Sequence, residues 1–401
     1  MTQSPGSPKL LVALLVLAAF LAMTALLMMG PLLVALAEAF NTSVAAAGQL
    51  AAAINLTWAV TALVAGPVSD TYGRRRVGLT GPLIMAVGIL GSVLAWSYGA
   101  LLACRLLTGV GAAMIAPNGM AAIADHFPPA QRGRPASILI GAMFLGPVFG
   151  IPLVALLEDL GGWRLPFGVI GGLCLVLLGL SWIWWPRQAR PAGQRVAFLA
   201  RFTAVSRRAG IWPALAANAL YRMAGFGVLT YLAAFLMRTY GIQTGSTALP
   251  LALVLLGGML GSLVGGSVAG QTWRIRGVAL ALTAGGVLVG SVFLVEVSLW
   301  LTVLLASAGM LLAAVFEPII WTLTAELAGE SVATANGMLA FSTQLGSALG
   351  ASAGGVILAV GGFGFVGLFC LGAAVLAALV IGQAGTSLSK PSLVPIGQEE
   401  R

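Results

Sequence analysis

Charged residues are scarce in this sequence. Only 8% of its 401 residues are Asp, Glu, Lys or Arg, and 59% are apolar; a typical soluble domain has about 25% charged residues. A soluble chain of this length would not have enough polar side chains to cover its surface. The composition therefore excludes a water-soluble globule and predicts a chain solvated by a lipid bilayer.

Histidine and cysteine are also rare. His126 is the only histidine, which excludes a multi-histidine metal site. The three cysteines, Cys104, Cys174 and Cys370, lie inside apolar runs and lack the spacing of metal ligands or of a disulfide framework. We expect no metal, no cofactor and no enzymatic activity.

The net charge of +9 could suggest nucleic acid, but its distribution does not fit. Most basic residues occupy short breaks between apolar runs, and none forms a basic surface interleaved with stacking aromatics on a polar domain. We expect no nucleic-acid partner.

Long apolar runs dominate what remains. A membrane helix needs about 20 apolar residues, whereas an outer-membrane barrel would show alternation over about ten residues. Glycine, with 54 residues, allows helices to approach closely. The sequence predicts an all-α membrane protein with twelve transmembrane helices at 10–36, 45–68, 77–96, 99–124, 135–157, 165–185, 211–237, 247–270, 277–297, 299–325, 333–360 and 363–384.

The N-terminal run has a second interpretation, because Lys9 precedes a long apolar stretch that ends at Ala35-Leu36-Ala37, as a signal peptide could. The stretch is much longer than a signal core, so we interpret it as an uncleaved first helix. With its start inside, 16 of the 20 Lys and Arg residues fall in inner loops or tails. This bias predicts that both termini are cytoplasmic.

The chain divides into two similar halves. The longest polar break separates residues 1–185 from 211–384, which predicts two six-helix bundles joined by a cytoplasmic linker at 186–210 and followed by a tail at 385–401. An offset of 200 residues relates Arg74 to Arg274 and Gly146 to Gly346. Two parallel repeats with a site between them near the midplane are a known plan of secondary transporters.

The loop between spans 2 and 3 runs from Gly66 through Asp70 and Gly73 to Arg74 and Arg75. This stretch resembles the signature G-x-x-x-D-x-x-G-R-[RK] of the major facilitator superfamily, and it indicates the two-bundle fold of that family. Gly73 permits a tight turn. The resemblance implies that Asp70 faces the N-terminus of helix 11, where an anion is favoured, and that the loop forms a cytoplasmic gate.

Two further stretches carry the same resemblance. In span 4, the stretch that begins at Arg105 is similar to the family pattern R-x-x-x-G-x-G. The span ends at Asp125, and related transporters have an acid there that pairs with the loop arginines. Span 5 is similar to the G-P-x-x-G-G antiporter motif, with Ile151 in place of the last glycine. Its small residues and proline are Gly141, Gly146, Pro147 and Gly150.

Three charged residues fall inside spans, where a charge at the centre costs about 2.5–3.5 kcal/mol and is a functional candidate. They are Arg105, Arg222 and Glu317. The resemblance places spans 1, 4, 7 and 10 around a central cavity. Helical spacing adds Asn218 to the face of Arg222, and Trp321 to the face of Glu317. The last two charges are either a neutralising pair or a substrate anchor with a proton-exchanging carboxylate; the sequence leaves both open.

Together these features predict a monomeric, multi-pass transporter of the bacterial inner membrane. We expect it to export a drug-like compound or metabolite by alternating access, as a proton antiporter. One alternative is an importer or facilitator of a sugar, amino acid or organic anion. Another is a transport-inactive receptor or assembly factor, which nothing in the sequence favours.

Overall fold

The computed structural model describes residues 8–128, 131–185, 198–294, 296, 298–328 and 331–388, and these residues form helices and no strand. The first half contains α1 (Pro8–Leu27), α2 (Met29–Ala39), α3 (Val44–Tyr72), α4 (Arg74–Val93), α5 (Tyr98–Ala113), α6 (Ile115–His126), α7 (Gly133–Leu145), α8 (Ile151–Gly161) and α9 (Arg164–Trp184). The remainder contains α10 (Phe198–Ser206), α11 (Ile211–Tyr240), α12 (Ala248–Val268), α13 (Arg274–Val292), α14 (Leu299–Ala314), α15 (Phe316–Ala328) and α16 (Val332–Leu388).

Twelve spans result. Eleven helical stretches in the described residues are long and apolar enough to cross a membrane. The last of these belongs to α16, which contains two spans because Gly362 interrupts it with φ +74° and ψ −173°. The prediction of an all-helical, twelve-span membrane protein is confirmed.

Three spans are interrupted three residues before a proline. The breaks fall at Met28, Met114 and Val315, and the prolines that follow them are Pro31, Pro117 and Pro318. Proline has no N–H, and its ring clashes with the carbonyl four residues earlier. That carbonyl belongs to the last residue of α1, α5 or α14 in each case. The first, fourth and tenth spans are therefore each built from two helices.

The same glycine contacts recur in both halves. A methyl group added at Gly146 would lie 2.8 Å from the Phe20 carbonyl oxygen, on the first span. One added at Gly346 would lie 2.2 Å from the Ala219 carbonyl oxygen, on the seventh span. Spans 5 and 11 thus each pack closely on the first span of their own half, in keeping with the offset of 200 residues.

A short helix, α10, lies within the stretch predicted as a linker. Val205 on this helix is fully buried, and after it Arg208 Nη1 donates to the Leu327 carbonyl oxygen at 3.1 Å. The end of the linker therefore packs on the second half. Residues 186–197 and the tail beyond 388 lie outside the described residues, as do the surroundings of Gly66 and the side chain of Asp70.

The two halves share a core at one end of the bundle only. We call the end with the loops after the even-numbered spans the basic end, because it carries Arg74 and Arg274, and the other end the opposite end. The largest apolar cluster joins both halves, for example Leu36 and Ile54 with Phe235. Two smaller clusters near the basic end each belong to one half. The halves are thus fused at the opposite end and separate towards the basic end.

Candidate functional site

Arg222 and Glu317 form an ion pair inside the second half. Arg222 lies on α11, and Glu317 occupies the first turn of α15, where the proline break leaves it near a helix N-terminus. Arg222 Nη2 donates a hydrogen bond to Glu317 Oε1. The two side chains remain 26% and 20% exposed, so the pair is only partly covered. The structure therefore contains the contact between Arg222 and Glu317 that the sequence left undecided.

Aromatic side chains flank this pair. The Arg222 guanidinium carbon lies 5.4 Å from the centre of the Tyr221 ring, and that ring packs against Phe316 with centroids 5.0 Å apart. Trp321, one turn beyond Glu317 on α15, is 37% exposed. Among the described residues, Arg222 Nε is buried without an acceptor. The site combines a paired charge, an unused donor and aromatic surface.

Asn218 does not join the pair. It is 2% exposed, and its Nδ2 donates to Ser342 Oγ at 2.7 Å and to Thr343 Oγ1 at 2.9 Å, both on α16. In this conformation Asn218 binds the seventh span to the eleventh. A direct contact between Asn218 and substrate stays a prediction.

Arg105 also lies away from the pair, inside the first half. It is fully buried, and Nη2 donates to the Ala25 carbonyl oxygen at 2.5 Å. The guanidinium carbon is 6.0 Å from the Phe167 ring centre, and Nε and Nη1 have no acceptor among the described residues. Because α5 turns this side chain towards spans 1 and 6, Arg105 does not line open space here, contrary to the placement expected from the sequence.

The loop signature forms a bonded cluster at the basic end. Arg74 Nε donates to Asp125 Oδ2 at 3.1 Å, the pairing that the resemblance implied. Arg74 Nη1 donates to Ser69 Oγ at 2.9 Å, and Ser69 Oγ donates to Asn118 Oδ1 at 2.6 Å. Gly73, at φ +91°, makes the tight turn between α3 and α4. The cluster fixes spans 2, 3 and 4 to each other.

Arg75 points elsewhere. Its Nη2 donates to the Trp182 carbonyl oxygen at 2.9 Å, and its guanidinium carbon lies 5.6 Å from the Trp182 ring centre. Arg75 therefore binds the third span to the sixth. The predicted contact of Asp70 with the N-terminus of helix 11 involves a side chain outside the described part of the structure and stays a prediction.

The glycine–proline stretch of span 5 forms a π-helical turn, Gly146–Gly150, between α7 and α8. Pro147 cannot donate to the carbonyl four residues earlier, which favours this wider turn. A methyl group at Gly150 would lie 2.1 Å from Thr24 Oγ1, whereas one at Gly141 would meet nothing within 4 Å. Gly146 and Gly150 make the close contact with span 1, and Gly141 does not.

Contacts between the halves involve α2, α3, the π-helical turn and α8 on one side, and α11, α12, α16 and the turn before α12 on the other. Gln49 Nε2 donates to the Ser352 carbonyl oxygen at 3.1 Å, and a methyl group at Gly355 would lie 2.6 Å from the Ala45 carbonyl oxygen. Both contacts lie towards the opposite end. The basic-end segments α1, α6, α7 and α15 pack on their own halves. The space between the halves is thus open at the basic end.

Known proteins share this sequence and architecture. The family model of the Major Facilitator Superfamily matches residues 15–351. The chain belongs to the major facilitator superfamily. It is 35% identical over 130 residues to the multidrug transporter mfsC of Aspergillus fumigatus, a match that covers 32% of this chain and 24% of that protein. It is 26% identical over 287 residues to the uncharacterised MFS-type transporter YceJ of Bacillus subtilis, covering 69% and 72%.

A solved structure has the same fold. A bacterial homologue of the human lysosomal transporter Spinster, in an inward-facing and unoccupied conformation, superposes with a TM-score of 0.79. The sequences are 16% identical, and the match covers 96% of this transporter and 98% of the other chain.

The structure adds residues that sequence reasoning missed. Arg274 pairs with Glu326 and donates from Nη1 to the Ala269 carbonyl oxygen at 2.6 Å, which repeats the Arg74–Asp125 pair in the second half. The repeat offset already related the arginines, and applying it to Asp125 leads to Ala325, the residue next to Glu326. Ser69 and Asn118 gave no separate signal, because single polar residues near span ends are common.

Proposed function

We propose that this transporter moves a small organic molecule out of the cytoplasm by alternating access, with Arg222 and Glu317 as its central site. The ion pair carries the proposal. It lies on spans 7 and 10, it is partly exposed, and it joins two of the three charges that the sequence places inside the spans. A charge in that environment is a functional candidate by default.

The open side supports loading from the cytoplasm. The halves are joined at the opposite end and separate at the basic end. The excess of arginine at the basic end favours a cytoplasmic position for it under the positive-inside rule. A molecule in the cytoplasm then has a direct path to the site. Single cysteines introduced into the 186–210 linker test this orientation. We expect impermeant reagents to label them in inverted vesicles and not in intact cells.

Export is supported by the Gly146–Gly150 turn, which follows the antiporter-type motif. One relative is named a multidrug transporter, a name that states no direction. That relative matches over about a third of this chain, so its substrates do not transfer. Glu317 is the acid that we place at the site, and we propose that it binds the coupled proton.

Counterflow in proteoliposomes tests the site. Three probes of similar size and different charge suit it: benzenesulfonate, benzenesulfonamide and benzyltrimethylammonium. We expect wild-type protein to exchange at least one probe and Arg222→Gln to lose that exchange. Glu326→Gln, which changes a paired glutamate at the basic end, should retain it. Equal exchange by Arg222→Gln and wild type would refute the site.

A further inference from the structure

The charges near the site are few and can be counted. Arg222 and Tyr221 on α11 are the ionisable groups beside Glu317. The neighbouring helices α12 and α14 contain no Asp, Glu, Lys, Arg or His, and neither does α16. The charges of α13, Arg274 and Arg276, lie at the basic end. Arg105 is enclosed in the first half. Among the described residues of these helices, the immediate surroundings of Glu317 therefore contain one positive and one negative group.

This count makes the empty site neutral. A proton alone on Glu317 would leave the site at +1, and an anion alone on Arg222 would leave it at −1. An organic cation would sit beside Arg222 and raise the site to +1. An anion and a proton together restore neutrality. Closing a low-dielectric site over a net charge is costly, so the empty site and the site with both ligands close most readily.

We propose that the substrate is an organic monoanion that binds Arg222 while one proton from the aqueous phase binds the carboxylate of Glu317. The proposal rests on the proposed function, because it needs the pair to be the substrate site. It assigns the substrate class and the sign of the coupling: substrate and proton travel together.

The geometry of Arg222 suits an incoming anion. Among the described residues, its hydrogen bond runs from Nη2 to Glu317, and Nε is buried there with no acceptor. Guanidinium groups bind carboxylates and sulfonates through two parallel hydrogen bonds. An anion that takes both positions displaces Glu317. The exposed Trp321, one turn away, offers apolar surface to the organic part of the substrate.

The consequence differs from the antiport predicted from the span 5 motif. In antiport the substrate must expel the proton, whereas here the substrate frees Glu317 to accept one. Export then means that an anion produced in the cell leaves with a proton down its own concentration gradient.

Calorimetry on the purified full-length transporter tests the proposal. Benzoate, benzenesulfonate and benzyltrimethylammonium are titrated near neutral pH in buffers of different ionisation enthalpy. The dependence of heat on buffer gives the protons exchanged per ligand, and the sulfonate and quaternary ammonium probes cannot titrate themselves. We expect the anions to bind with proton uptake of up to about one per site.

Variants separate the two ligands. Glu317→Gln leaves Arg222 without its competitor, so it should bind benzenesulfonate about tenfold more tightly and without proton uptake. Arg222→Gln should lose anion binding, and Glu326→Gln should match wild type in affinity and proton uptake.

Three results would overturn the proposal: no binding of either anion, anion binding without proton uptake in wild type, or binding of benzyltrimethylammonium with proton release. If cation binding depends on Arg222 and Glu317, the central site stands and the anion assignment fails. If neither variant changes any binding, the site itself fails.

Discussion

Arg222 and Glu317 neutralise each other where a single charge is expensive. Replacing Glu317 by Gln keeps an oxygen that can accept from Arg222 but removes the opposing charge, and we expect a loss of stability of about 1–3 kcal/mol. The partial exposure of the pair keeps this below the cost of a fully buried one. The double change Arg222→Gln with Glu317→Gln should recover most of the loss, because no charge is then left alone. Thermal unfolding of the purified variants measures these changes in stability.

Glu326→Gln is the control for that series. Glu326 is also paired with an arginine, but its side chain is 48% exposed, so its loss should cost about 0–1 kcal/mol. If Glu317→Gln and Glu326→Gln destabilise the protein equally, the partly buried position of Glu317 does not make its charge more important for stability.

Individual site residues show what helical spacing can predict. Helical spacing left open whether Arg222 and Glu317 meet, and the structure pairs them. The spacing placed Asn218 on the same face of α11 as Arg222, but α16 covers that face one turn nearer the basic end. The spacing of residues determines on which side of a helix a residue lies. It does not determine which neighbouring helix covers that side at each level along the helix. Arg105 illustrates the same limit, since α5 directs it into its own half.

Among the elements, span 5 makes a sharp prediction about helix contact. Gly146→Ala would place a methyl group 2.8 Å from the Phe20 carbonyl oxygen and 2.7 Å from Met23 Cβ. We expect overpacking to cost about 1–3 kcal/mol, seen as a lower melting temperature.

Gly141→Ala is the matched control on the same span. Nothing lies within 4 Å of the added methyl group, and alanine favours helix by about 1 kcal/mol over glycine. It should be neutral or stabilising. If both alanine variants melt alike, the close contact between spans 1 and 5 is not the reason for the glycines.

The spans themselves were readable from the sequence, because each needs a long apolar run. The interruptions were not predicted, although the three prolines were visible. Proline in a membrane helix is often tolerated without a break when neighbours satisfy the freed carbonyl. Only packing decides between a bend and two helices. The break before Pro318 matters most, since it places Glu317 in the first turn of α15.

At the scale of the whole molecule, the two ends of the bundle should control opposite conformations. Asp70→Asn weakens the predicted latch at the basic end, so it should favour the conformation described here and impair transport without preventing insertion. Gly48→Ala would put a methyl group 1.9 Å from the Tyr231 hydroxyl across the two halves, and should favour opening of the opposite end.

Spin labels at Arg134→Cys and Arg276→Cys report the separation of the halves at the basic end. Both positions are exposed. Because Cys174 and Cys370 are buried, only Cys104 needs replacing. The Asp70 variant should shift the distance distribution towards longer values and the Gly48 variant towards shorter ones. A shift in the same direction for both would contradict control from opposite ends.

The most direct measurement is accumulation of a probe in proteoliposomes under an imposed pH gradient. With acid outside, wild-type protein should accumulate benzenesulfonate. Glu317→Gln should retain counterflow and lose accumulation, Arg222→Gln should lose both, and Glu326→Gln should keep both. Accumulation by Glu317→Gln, alone or with Arg222→Gln, would contradict the central claim that this pair binds the substrate and couples it to the proton.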